Sequence, residues 1–366
     1  MKKSNVLRIF YFIGFLLLQM SSICVNVRFI SNYLFVVKFI SLFILLFCCI
    51  INVKASKLTF NKIFMIIILF FVGIVSYYIT DDIIFLELFI LLFASMSFEF
   101  NEIVKVDFVC KLLVMIFVLI CNKMGYAQSD FIVTRDGNTI RNAFGFYHPN
   151  TFGMYVMMIF LDYLYLNKER KIRNIILAFV VAIFIHYTSD TRSAIYCIIG
   201  ISSLLLFEKS LIKIVQIKPV KFILNNLYLI LLCFSIVTTL LYCLKTDFSI
   251  QLNQFFSNRL YLQSIFWKNY KLSLFGNEMI YNYTLDNGYI KLLLNYGFLA
   301  TIFYGYIYNK TLKKSWLFND YVIYFIILIL LFFNIAESSM LYVYFNIFIL
   351  YFFCKDSYSG GEKNVK

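Results

Sequence analysis

Three polar segments interrupt an otherwise apolar chain, and each holds an arginine beside groups that handle protons or anions. The first runs Arg141-Asn-Ala-Phe-Gly-Phe-Tyr-His148-Pro149-Asn150, the second is Ser189-Asp190-Thr191-Arg192-Ser193, and the third extends from Arg259 to Asp286-Asn287-Gly288. A guanidinium is a planar fork that binds phosphate or carboxylate through two parallel hydrogen bonds. Histidine titrates near neutrality, at about 6.5, and can take a proton from a hydroxyl. Pro149 with Asn150 or Thr151 fits a helix start, and a helix N-terminus favours an anion. The chemistry these residues suit is transfer from a phosphate leaving group, with Arg141, Arg192 and Arg259 holding charge and His148 as base or positioning group. Arg135, Asn150, Asp190, Asp286 and Asn287 are the companion binding candidates; Glu337 carries less weight. Each has a plainer reading: His148 and Pro149 shaping a loop, Arg192 as an exposed turn residue, Asp286-Asn287 as a turn and cap.

No metal or cofactor is expected. Asp81-Asp82 is an acidic pair without further ligands. The nine cysteines form no C-x-x-C pair and lie in or beside apolar runs, so they read as small buried hydrophobes.

The elements that position these segments follow from composition. The chain is 62% hydrophobic and 14% charged, with 44 Phe and 2 Pro. Soluble domains sit nearer half apolar and a quarter charged. Lipid must therefore solvate much of this surface, and a bilayer demands internally bonded backbone, hence helices. Apolar runs at 9–25, 33–53, 63–79, 83–98, 106–121, 151–166, 172–188, 192–207, 227–244, 288–308, 321–335 and 339–354 predict about twelve transmembrane helices. The first has no cleavage site after it and reads as a retained helix. The expectation is one all-α polytopic domain over 1–355, with a disordered cytoplasmic tail at 356–366.

Lysines and arginines alternate with the runs. Lys2, Lys3 and Arg8, Lys54, Lys57 and Lys62, then Lys105, then Lys168, Arg170, Lys171 and Arg173 fall on one side. Lys209, Lys213, Lys218, Lys221, Lys310, Lys313 and Lys314 continue the set. This sidedness places both termini in the cytoplasm of a plasma-membrane protein. The net charge of +14 is thus topological and lipid-directed, and nucleic-acid binding is not expected. Five of the eight arginines, Arg28, Arg135, Arg141, Arg192 and Arg259, oppose the bias by falling outside. Two outer connections are long, 122–150 and 245–287, and Phe266, Trp267 and Tyr270 argue that the second is folded.

Of the ionisable residues inside the runs, Lys38, Lys111 and Lys291 are expected to snorkel to an interface. No relay of buried carboxylates through Glu87 and Asp162 is expected, and His186 reads as a packed histidine.

Arg141-x-x-x-Gly145-x-x-His148-Pro149-Asn150 resembles the R…G…HPN element of the Wzy-type oligosaccharide repeat-unit polymerases and their relatives, the O-antigen ligases. Thr188-Ser-Asp-Thr-Arg192-Ser193-Ala194 is similar to the turn that follows it there. Arg259 with Trp267, Leu274-Phe275-Gly276 and Asp286-Asn287 resembles the late loop of that superfamily. The likeness runs the whole chain in order and spacing. It implies a GT-C-like glycosyltransferase of the outer leaflet that joins undecaprenyl-diphosphate-linked sugar repeats, for capsule or O-antigen, without a nucleotide sugar. Partners would be the lipid-linked donor and acceptor, membrane lipids and a chain-length regulator. A ligase of the same superfamily differs in its acceptor, which the motifs do not resolve. A lipid-linked oligosaccharide flippase is the alternative from another class; it would bury charge along a central path.

Overall fold

The computed structural model describes residues 3–55, 60–128, 131–133, 140–278 and 284–355. In chain order the helices are α1 (Lys3–Ile23), α2 (Arg28–Ser31), α3 (Leu34–Ala55), α4 (Phe60–Thr80), α5 (Ile84–Ser95) and α6 (Phe100–Lys123). A hairpin of β1 (Phe131–Val133) and β2 (Ile140–Asn142) follows, pairing Ile132 with Arg141. Then come α7 (Pro149–Leu166), α8 (Lys171–Thr188), α9 (Arg192–Leu206), α10 (Glu208–Val215), α11 (Lys218–Asn225) and α12 (Leu227–Cys243). The last are α13 (Asp247–Phe255), α14 (Arg259–Asn269), α15 (Gly288–Lys291), α16 (Gly297–Leu317) and α17 (Tyr321–Ala336).

Among the described residues, four helices are long and apolar enough to cross a membrane: Asn5–Asn26, Leu34–Asn52, Lys171–Thr188 and Gly288–Leu317. The number becomes six if α9 with α10 and α11 with α12, bent by 82° and 61°, each count as one span. Three further apolar stretches are shorter: Leu69–Thr80, Ile84–Ser95 and Tyr321–Ala336. Their composition explains why hydropathy alone marks them, since a buried core helix and a spanning helix are equally apolar.

The outward faces remain apolar. On α8, Ile172, Ile176, Phe179, Val180 and Ile183 each expose more than half their area. A helix apolar on both its packed and its open face belongs in lipid rather than water. The inward faces form one large core that includes Phe15, Leu88, Tyr155, Tyr304 and Ile326. Small residues bring helices close: a Cβ on Gly14 would lie 2.9 Å from Leu45 Cγ, and Ser41 Oγ donates to the Gly14 carbonyl across 2.7 Å.

The apolar run 339–354 is not the continuous helix its composition predicts. It forms two 3₁₀ turns, Ser338–Leu341 and Ile347–Leu350, joined by tight turns and largely buried. Irregular backbone at such depth survives only where protein satisfies its polar groups. Here Tyr304 Oη donates to the Leu341 carbonyl at 2.7 Å and Gln19 Nε2 to that of Tyr344 at 2.7 Å. Lys314 Nζ serves the carbonyls of Tyr351, Phe352 and Cys354 at 3.2, 3.3 and 2.9 Å. Hydropathy registers the burial of this segment but not which groups complete its hydrogen bonds.

The two ends of the bundle differ. One carries the β-hairpin, the starts of α7 and α9, α14 and the close of α17. The other gathers lysines, with Lys168 paired to Asp320 at 3.3 Å and Arg8 to Glu102 at 2.5 Å.

Candidate functional site

The three polar segments meet at the hairpin end. His148, in extended conformation, caps α7: its Nδ1 accepts the backbone N–H of Asn150 at 3.0 Å. The cap therefore sits at least two residues earlier than the Asn150 or Thr151 expected, with Pro149 at the first helical position where a missing N–H costs nothing. Arg141, held by β2, donates through Nε to the Ser189 carbonyl at 2.6 Å and through Nη2 to Asn150 Oδ1. One guanidinium thus ties the hairpin, the start of α7 and the α8–α9 turn together.

That turn packs against α7 without room to spare. A Cβ on Gly153 would lie 2.3 Å from Thr191 Oγ1. Thr191 Oγ1 donates to the Pro149 carbonyl at 3.2 Å and shares a hydrogen bond with Ser189 Oγ at 3.0 Å. Asp190 adopts a left-handed φ of 43°, which short acidic and amide side chains tolerate best. Its carboxylate meets His186 Nδ1 at 3.2 Å and Arg192 Nε at 3.9 Å. His186 is 62% exposed rather than packed. Arg192 opens α9 with its side chain 63% exposed.

The second half of the site centres on Arg259, the first residue of α14. Its Nη2 pairs with Glu337 Oε1 at 2.8 Å, its Nε with Asp286 Oδ2 at 3.3 Å, and its Nη1 donates to the Ala336 carbonyl. Ser193 Oγ donates to the same Glu337 oxygen at 2.9 Å. Arg192's neighbour is thereby linked through Glu337 to Arg259. Burial pushes the Glu337 carboxyl above its ordinary value; the charge of Asp286 adds to this, while Arg259 and Ser193 oppose it. Burial likewise raises Asp286 against the pull of Arg259, Lys291 and His148.

Beyond Asp286 lie groups that sequence reasoning did not assign to the site. Lys291 Nζ donates to Tyr342 Oη at 3.0 Å, and Tyr296 Oη donates to Asp82 Oδ2 at 2.6 Å. Lys291 Nζ thus rests on the Tyr342 hydroxyl. Tyr342 belongs to the broken segment, and Tyr296 closes a π-turn over Leu292–Tyr296. Gly276, at φ 103°, packs so tightly beneath that turn that a Cβ would overlap the Asn295 carbonyl. Asn287 is buried; its Oδ1 caps Ile290 N–H at 3.0 Å and its Nδ2 reaches Ser235 Oγ at 3.1 Å. The plainer cap reading describes its contacts. Arg135 lies outside the described residues, and Arg28 is exposed on α2.

A separate polar cluster sits inside the bundle. Lys111 Nζ bridges Asp107 Oδ2 at 2.6 Å and Asp162 Oδ2 at 3.0 Å, all three with no exposed side-chain surface. Gln19 Nε2 donates to Asp107 Oδ1 at 3.1 Å, and Tyr155 Oη to Gln19 Oε1 at 3.1 Å. Lys38 likewise pairs with buried Glu87 at 2.5 Å. The snorkelling expectation thus fails for Lys111: Asp107, one turn earlier on α6, and Asp162 on α7 hold its ammonium inside.

Fold and polar end together define an all-helical protein of membrane character, with helices long and apolar enough to cross a bilayer. No family model matches the chain, and comparison with curated proteins and with solved structures yields no match.

Proposed function

We propose that this chain is a Wzy-type oligosaccharide repeat-unit polymerase: a GT-C-like glycosyltransferase with about twelve spans, cytoplasmic termini and its hairpin end on the outer face of the cell membrane. The observation that carries the reading is the convergence of the motif segments. Arg141 grips the α8–α9 turn, and Ser193 of that turn reaches Arg259 through Glu337. Residues about 120 positions apart in sequence, bearing the family-like motifs, form one polar surface.

The donor sugar leaves a lipid diphosphate while a hydroxyl of a second lipid-linked repeat attacks. Negative charge then grows on the departing oxygen, and a preorganised cation stabilises it best where water is partly excluded. Of Arg141, Arg192 and Arg259, Arg192 is the most open to such a group, being 63% exposed. Arg141 and Arg259 already hold protein partners and keep the surface in shape.

A second reading rests on the Asp107–Lys111–Asp162 cluster, since charges buried within a bundle accompany transport. This favours a lipid-linked oligosaccharide flippase more than composition alone does. The two readings separate in cells. A strain lacking the protein should display single repeats on its surface under a polymerase and none under a flippase. Re-expression of Arg192→Ala should fail to restore long glycans if the polymerase reading holds. Normal glycan length from that variant would reject it.

A further inference from the structure

The hydrogen bond at the start of α7 decides what His148 can do. A neutral imidazole carries one N–H. Nδ1 of His148 accepts the Asn150 backbone N–H at 3.0 Å, so the proton resides on Nε2. To act as base through Nε2, the ring would have to place its proton on Nδ1, setting two N–H donors against each other and breaking the cap. His148 is therefore occupied as the cap of α7 and poorly suited to take a proton.

Two carboxylates flank Arg259, and they differ in access. Glu337 Oε1 takes both Ser193 Oγ and Arg259 Nη2, and its side chain is 6% exposed. Asp286 meets Arg259 Nε through Oδ2 and remains 32% exposed. Its backbone is fixed by Asn287, which caps α15 and bonds Ser235. Asp286 is thus both oriented and reachable.

Resting on the polymerase reading, we infer that Asp286, not His148, accepts the proton of the attacking hydroxyl. As the hydroxyl oxygen bonds to the anomeric carbon, its proton passes to the Asp286 carboxylate. The bond from that carbon to the diphosphate breaks, its electron pair leaving with the diphosphate. Asp286 then returns its proton to water. Arg259 and Glu337 are positioning residues: they aim Asp286 without touching substrate.

The test is the pH–rate profile of product formation by purified protein given a defined lipid-diphosphate oligosaccharide. Asp286→Asn should lose about 10²–10⁴-fold at neutral pH. Asp286→Glu should keep part of the rate with a displaced acid limb, which guards against misfolding as the cause. His148→Asn, which preserves a capping oxygen, should leave the acid limb in place. Independently of turnover, ¹⁵N chemical shifts should show the Nε2–H tautomer of His148. An Nδ1–H tautomer, loss of the acid limb in His148→Asn, or near-normal rates in Asp286→Asn would overturn the assignment. Wild-type protein that makes no product while showing the Nε2–H tautomer would instead refute the polymerase reading.

Discussion

Ser193 and Glu337, 144 positions apart, are joined by a 2.9 Å hydrogen bond, and the same carboxylate oxygen holds Arg259. This contact makes the α8–α9 turn and the late loop one unit. Because burial raises the Glu337 carboxyl above its unfolded value of 4.5, folding favours its protonated form. That contribution is complete below about 4.5 and fades as pH rises through the higher folded value. Glu337→Gln should flatten this part of the pH dependence of thermal unfolding. An unchanged slope would contradict the account.

Gly153 leaves no space for a side chain beside Thr191. Gly153→Ala should destabilise the protein by about 1–3 kcal/mol, as overpacking does, and should also lower activity by displacing the Arg192 turn. Thermal unfolding in detergent together with glycan length measures both.

Lys111 neutralises two fully buried carboxylates. Lys111→Met leaves them unpaired and should cost about 3–5 kcal/mol, whereas replacing all three by Met and Asn should recover most of that loss. Equal instability of the single and triple variants would show that packing, not charge, dominates.

Arg192 and Arg141 should fail differently. Arg192 is exposed and, among the described residues, meets only Asp190 at ion-pair range, so Arg192→Ala should reduce turnover about 10²–10³-fold with little change in thermal stability. Arg141 anchors Ser189 and Asn150, so Arg141→Ala should lower stability and turnover together. Purified variants compared by unfolding and by turnover distinguish the two.

Much of the helical frame could be read from apolar runs, because the helices begin and end near the polar segments: α8 at Lys171 and Thr188, α9 at Arg192. The segment 339–354 could not, since burial without helical bonding leaves the same hydropathy. Local motifs pointed to Arg141, His148 and Arg259, which lie in the interruptions between apolar runs. Lys291 and Asp82 stand out in sequence only as a charge in an apolar run and half of an acidic pair, and Tyr342 not at all; their place beside the site comes from partners on distant elements. The reversal of Lys111 has the same origin, as Asp162 lies 51 positions away.

The most direct measurement gives the purified wild-type protein, in lipid nanodiscs, a defined undecaprenyl-diphosphate-linked repeat and examines the products by mass. Dimers and longer chains with release of the lipid diphosphate are expected, and about 10²–10³-fold less product with Arg192→Ala. Movement of the intact repeat across the bilayer with no new glycosidic bond would contradict the polymerase reading.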